Sequence, residues 1–175
     1  TYNGRTPSHG FQVSVGTLMM CAMFDEMCKT DFSKLDVRAC VSLWKNRRQM
    51  RHEAEDLFED MPYGDYVIAE SMARYKDKEE VRRQLQLMKD NWPDIKEMLQ
   101  EHCFTHEQMY QLLSTVGAPT SPEQVGISLE QMRSDVAIVR HIRNRFTMFD
   151  IGLYAGKLQD WTAGVFGEGG IWEIK

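Results

Sequence analysis

The sequence has few cysteines, no long unbroken hydrophobic run and no surplus of positive charge. Four cysteines stand in 175 residues (Cys21, Cys28, Cys40 and Cys103), without a CxxC pair or a dense framework. A disulfide-stapled scaffold is therefore excluded. Three of the four lie in helical, apolar text, where a free thiol behaves as a small hydrophobe. A reducing, cytoplasmic setting is the expectation. The longest uncharged apolar run, Gly10 to Phe24, is 15 residues, whereas a membrane span needs about 20. It has neither the basic flank nor the small-residue cleavage site of a signal peptide. With 21 Lys+Arg against 26 Asp+Glu, a net charge of −5 and a pI near 5.6, no nucleic acid or anionic membrane is expected as principal partner. A Gly-rich phosphate loop, a GxSxG elbow and a Cys/His nucleophile arrangement are all missing.

What is present is an ordinary folding composition, 42% hydrophobic and 27% charged. A chain of this length fits one domain, 1–175, and buries about 70% of its unfolded surface. It opens with Thr1-Tyr-Asn-Gly-Arg-Thr-Pro-Ser8, without an initiator Met, and runs at once into its most apolar segment. That pattern is expected of a cut made inside a longer chain.

Helical periodicity dominates, and the expected fold is an all-α multi-helix bundle of about seven to nine helices. From Gly10 to Lys29 apolar residues occupy nearly every face, the pattern of a central, buried helix. Ser33 with Asp36 has capping-box spacing, and the charged stretch Lys45 to Asp60 is closed by the breaker Met61-Pro62-Tyr63-Gly64. Tyr66–Tyr75 and Lys78–Met88 read as two helices or one interrupted helix, and Pro93 either starts a helix or kinks one. Thr105 with Gln108 opens a helix ending near Val116-Gly117. Ser128 with Gln131 opens another, whose stripe Met132, Val136, Val139, Ile142, Phe146 and Phe149 holds one face for five turns. Lys157 to Phe166 forms a last short helix before an irregular tail. The sequence shows no internal repeat or low-complexity tract.

Two places could carry chemistry. His9 stands at the mouth of the apolar helix, where an imidazole either ligates a metal or merely helps the helix start. Arg140, Arg143 and Arg145 concentrate positive charge in an acidic protein. They suit a phosphate or carboxylate, or else form a solvated face with ion pairs to Asp135 or Asp150. His102 and His106 are four apart, but Thr105 between them reads as a cap, so a helix junction is expected rather than a zinc or nickel pair. His52 reads as surface, and the twelve methionines read as core.

The segment Ser8-His-Gly-Phe-Gln-Val-Ser-Val-Gly-Thr-Leu18 resembles a segment of the sn-glycerol-1-phosphate dehydrogenases, most closely their bacterial branch. These belong with the glycerol dehydrogenases and iron-containing alcohol dehydrogenases in the dehydroquinate synthase-like superfamily. The resemblance continues in Val116–Ile127, in Ile142–Thr147 and in Phe166–Trp172, in chain order. It implies the C-terminal helical domain of such an enzyme, lacking its N-terminal dinucleotide-binding domain. The implied reaction is hydride transfer between NAD(P)H and dihydroxyacetone phosphate. The implied cofactors are NAD(P) and one divalent metal (zinc, nickel or iron), neither of them bound by this piece alone. His9 matches one of two metal-binding histidines. No catalytic or NAD(P)-binding residue carries over, because those family motifs lie upstream of Thr1. Arg143 and Arg145 are added as candidates for contact with the substrate's phosphate.

The resemblance also implies a homo-oligomer, a phosphorylated three-carbon substrate, the missing N-terminal domain as partner and no membrane. The rival readings are a glycerol or other polyol dehydrogenase domain and a non-catalytic helical interaction module. If the helix at Gly10–Lys29 normally borders a further domain, this chain should self-associate through exposed apolar surface. Sedimentation should then show a concentration-dependent mass and a hydrophobic dye should bind; a dye-silent monomer would refute the expectation.

Overall fold

Ser8 opens the first helix, α1 (His9–Lys29), by accepting the Phe11 amide on its hydroxyl at 3.3 Å. The computed structural model describes residues 7–142 and 144–174, so residues 1–6 of the opening segment lie outside the described residues. Among these, the protein is all-helical, with ten α-helices, two short 3-10 helices and no strand. No helix among them is long and apolar enough to cross a membrane.

The chain forms two compact units. The first takes residues up to 30, 93–134 and from 160 onward. In it α1 buries Ser14, Val15, Leu18, Met19, Ala22, Met23 and Met27, spacings that keep to one helical face. That face packs on α7 (His106–Thr115) and on a 3-10 turn at Pro122–Val125. The Ser14 hydroxyl donates to the Pro119 carbonyl at 3.0 Å, tying the loop down. Burial on every face, as read from the apolar run, is not what α1 shows. Phe11 and Val13 are 41% and 48% exposed, because the neighbouring elements cover a single stripe of its N-terminal half.

The second unit takes residues 31–92 and 135–159. Asp31, not Ser33, starts the 3-10 turn Phe32–Lys34. Asp36 accepts the Ala39 amide at 2.9 Å and is the N-cap of α2 (Val37–Leu43). The expected box fails because a carboxylate caps best from the N-cap itself. The charged stretch becomes α3 (Arg47–Phe58), whose Asn46 and Gln49 bond reciprocally. Met50, Ala54 and Phe58, one turn apart each, pack against Ile68 and Met72 of α4 (Gly64–Ala73). A separate helix, α5 (Lys78–Asp90), begins at the Asp77 cap.

Pro93 starts rather than kinks, since α6 (Trp92–His102) has it in the first turn. Thr105 and Gln108 form the expected box opening α7, with bonds of 2.9 and 3.2 Å. Gly117 then takes φ +68°, a conformation that favours glycine. The Ser128 cap opens α8 (Leu129–Val139). The five-turn helix expected there stops at Val139. Residues 140–142 and 144–147 leave helical geometry, and α9 (Met148–Tyr154) starts afresh, ending at Gly156 with φ +66°. Ile142 and Phe146 are accordingly 47% and 53% exposed. The final helix, α10 (Leu158–Phe166), is where expected.

The turn between α3 and α4 leaves no room for a side chain at Gly64. A Cβ there would lie 1.9 Å from the Phe58 carbonyl oxygen. Gly64→Ala should therefore lower stability by about 1–3 kcal/mol through forced backbone displacement, read as a shift in urea midpoint without change of slope.

Candidate functional site

The break between α8 and α9 is built around a buried carboxylate. Thr147 has an extended backbone and precedes α9 by one residue. Its amide and hydroxyl donate to Asp150 Oδ2 at 2.8 and 3.1 Å. The other oxygen, Oδ1, faces Arg74 Nε at 3.6 Å, with both side chains under a tenth exposed. Arg74, just beyond α4, also donates from a terminal nitrogen to the Arg145 carbonyl at 2.9 Å. The chain is thus held where α8 would otherwise continue.

His141 lies at the same break and is fully buried. Its Nδ1 is 2.7 Å from the Ser71 hydroxyl, and the ring meets Phe58 edge-on at 5.2 Å. Nε2 has no hydrogen-bond partner among the described residues. Burial, then the charges of Arg140 and Arg74, pull its pKa down to about 3. The imidazole is therefore neutral at pH 7. Burial and the neighbouring Arg74 also lower the pKa of Arg140, while burial and Asp150 raise that of the Tyr154 phenol. Asp150 and Glu53 act in the opposite sense on Arg140, so carboxylates balance the guanidinium charges here. A wholly enclosed imidazole cannot serve as a base toward solvent, and the cluster's own chemistry is that of a scaffold.

The sequence-predicted residues fall as follows. His9 is exposed in the first turn of α1, in the first unit. Arg145 is exposed in the second unit, its carbonyl held as above. Arg143 lies outside the described residues. Of the ion pairs considered for the arginine cluster, Asp150 does carry one, with Arg74. Among the described residues, no three His, Cys, Asp or Glu side chains are grouped to hold a metal ion.

His102 ends α6 and His106 begins α7, so the pair is a helix junction. His106 is buried, donates its backbone N–H to Asp25 at 2.9 Å and has its ring 6.2 Å from that of Trp172. Its pKa is lowered, chiefly by burial. His52 pairs with Asp56 on an exposed face. Sequence reading did not find the roles of Ser71, Arg74 and Tyr154. For Asp150 a signal existed, since Thr147-x-x-Asp150 has capping-box spacing. Compared with protein-family models, curated proteins and solved structures, the chain matches none.

Asp150→Asn should cost about 3–5 kcal/mol, because it removes the carboxylate charge that faces the buried Arg74. Adding Arg74→Met should recover part of that loss, a coupling that a double-mutant cycle in urea measures. The buried His141 sets a pH dependence as well. Its folded pKa of about 3 lies below the unfolded value of about 6.5, so the unfolded state binds the extra proton. Stability should be whole above about pH 6.5 and fall as the pH drops below it. His141→Asn, which can still bond Ser71, should show a shallower fall between pH 7 and 5 than the parent.

Proposed function

We propose that this chain is the C-terminal helical domain of a metal-dependent, NAD(P)-linked oxidoreductase interconverting dihydroxyacetone phosphate and sn-glycerol 1-phosphate. The observation that carries the reading is the resemblance of four ordered blocks to that family, the first of which contains His9. What adds support is the position of His9, exposed on the first turn of a helix anchored by a buried stripe. An imidazole so presented suits a metal as one ligand among several.

One histidine cannot fix an ion's geometry, so the chain alone is expected to be inactive and the remaining ligands to come from an N-terminal domain. When bound, the metal supplies Lewis-acid polarisation of the substrate carbonyl, and the nicotinamide supplies the hydride. The residues of this chain do the holding. His9 would offer a ring nitrogen to the metal, and Arg145, with Arg143, would offer charge-assisted bonds to the substrate's phosphate.

The test is oxidation of NADH and NADPH by the full-length gene product, loaded with zinc or nickel and given dihydroxyacetone phosphate. His9→Ala should reduce turnover to background. Arg145→Ala should raise KM for the phosphorylated substrate by about tenfold, as expected for losing a charge-assisted hydrogen bond. An unchanged KM would remove Arg145 from the site. Activity with dihydroxyacetone alone would make the enzyme a glycerol dehydrogenase, and silence with both would favour the interaction module.

A further inference from the structure

We propose that Cys28 and Cys103 form a reversible thiol–disulfide pair, a redox-modification site tying α1 to the segment between α6 and α7. The two residues line one open pocket of about 410 Å³, together with Asp25, Lys96 and Thr105. Cys28 lies on the last turn of α1 and is half-buried. Cys103 is the first residue past α6 and is exposed. Only three residues, 103–105, separate α6 from α7. The Cys103 sulfur can therefore move toward α1 without breaking either helix.

The electrostatics are those of neighbouring thiols. Cys103 raises the pKa of both Cys28 and Cys21, each of which is already raised chiefly by burial. Lys96 acts in the opposite sense on Cys28 alone, while Asp25 raises both thiols further. Cys21 sits two turns before Cys28 on the same helical face, but it does not line the pocket. These differences assign the roles. The exposed Cys103 meets the oxidant, and Cys28, shielded but beside a cation, resolves it.

With hydrogen peroxide as oxidant, the Cys103 thiolate attacks one peroxide oxygen. The O–O bond breaks, and the departing hydroxide takes a proton to become water. The Cys28 sulfur then attacks the resulting sulfenic acid, the S–S bond forms and the hydroxyl leaves with a proton as a second water. Two thiols lose two electrons and one peroxide becomes two waters.

The test treats the reduced 175-residue chain with one equivalent of hydrogen peroxide, alkylates the remaining thiols and maps the peptides by mass spectrometry. The expected product has no disulfide between chains and two of its four thiols blocked, in one Cys28–Cys103 linked peptide that dithiothreitol releases. Cys21→Ser should give the same product, whereas Cys28→Ser should leave Cys103 as sulfenic or sulfinic acid. In urea the linkage should form several-fold more slowly, because the fold no longer holds the sulfurs together. Four alkylated thiols, a Cys21–Cys103 link, disulfide-bonded dimers through Cys103, or equal rates in urea would each overturn the proposal.

Discussion

The carboxylate of Asp150 is the group on which the second unit's architecture turns. It is buried, and each of its oxygens has a defined task. One caps α9 through the amide and hydroxyl of Thr147, and the other faces Arg74. Arg74 in turn holds the Arg145 carbonyl, so a single negative charge organises the departure from α8 and the return into α9. A buried ion pair of this kind adds little net stability compared with a well-packed hydrophobic substitute, while removal of one partner is severe. Its contribution is to fix the course of the chain. Arg140 and Arg74 also act on His141, which stays neutral because it is enclosed and has these arginines for neighbours.

The first unit is organised by apolar contact instead. The stripe on α1 supplies its core, and Trp161, Val165, Phe166 and Trp172 are buried from the C-terminal side of the chain. The tail is irregular but anchored. The Trp172 and Ile174 amides donate to the carbonyls of Val165 and Phe166, each at 3.0 Å. Trp161 donates its indole N–H to Thr30 at 2.8 Å, at the end of α1. The helix is secured from Ser14 onward, and its first turn stands exposed ahead of that anchor. Under the proposed reading that turn carries a metal ligand, and preorganisation of a ligand is what a metal site requires of its scaffold.

The two candidate loci lie in different units, and each stands by itself. His9 is a lone imidazole and brings no geometry without donors from elsewhere. The 140–145 segment brings positive charge, of which Arg140 is partly withdrawn from water while Arg145 is exposed. Charge that is partly desolvated interacts with an anion more strongly than the same charge in water.

Local instructions were legible wherever one side chain acts on its own backbone within a turn. Thr105 with Gln108, the Ser128 cap, the Gly117 terminator and the Pro93 start could all be read from neighbouring residues, and so could the all-helical character of the chain. The five-turn stripe from Met132 to Phe149 misled, because hydrophobic periodicity records which residues could share a face and not whether the backbone between them stays helical. The deciding partner there, Arg74, lies more than seventy residues away in sequence from the carbonyl and carboxylate it binds. The neutrality of His141 likewise depends on Phe58, Ser71 and Arg74, which approach it only after α3, α4 and the chain break have packed. Helix starts and stops are short-range hydrogen-bonding problems that a sequence can solve alone. Burial, charge pairing and the protonation of an enclosed group are sums over distant neighbours, and the tertiary structure decided them.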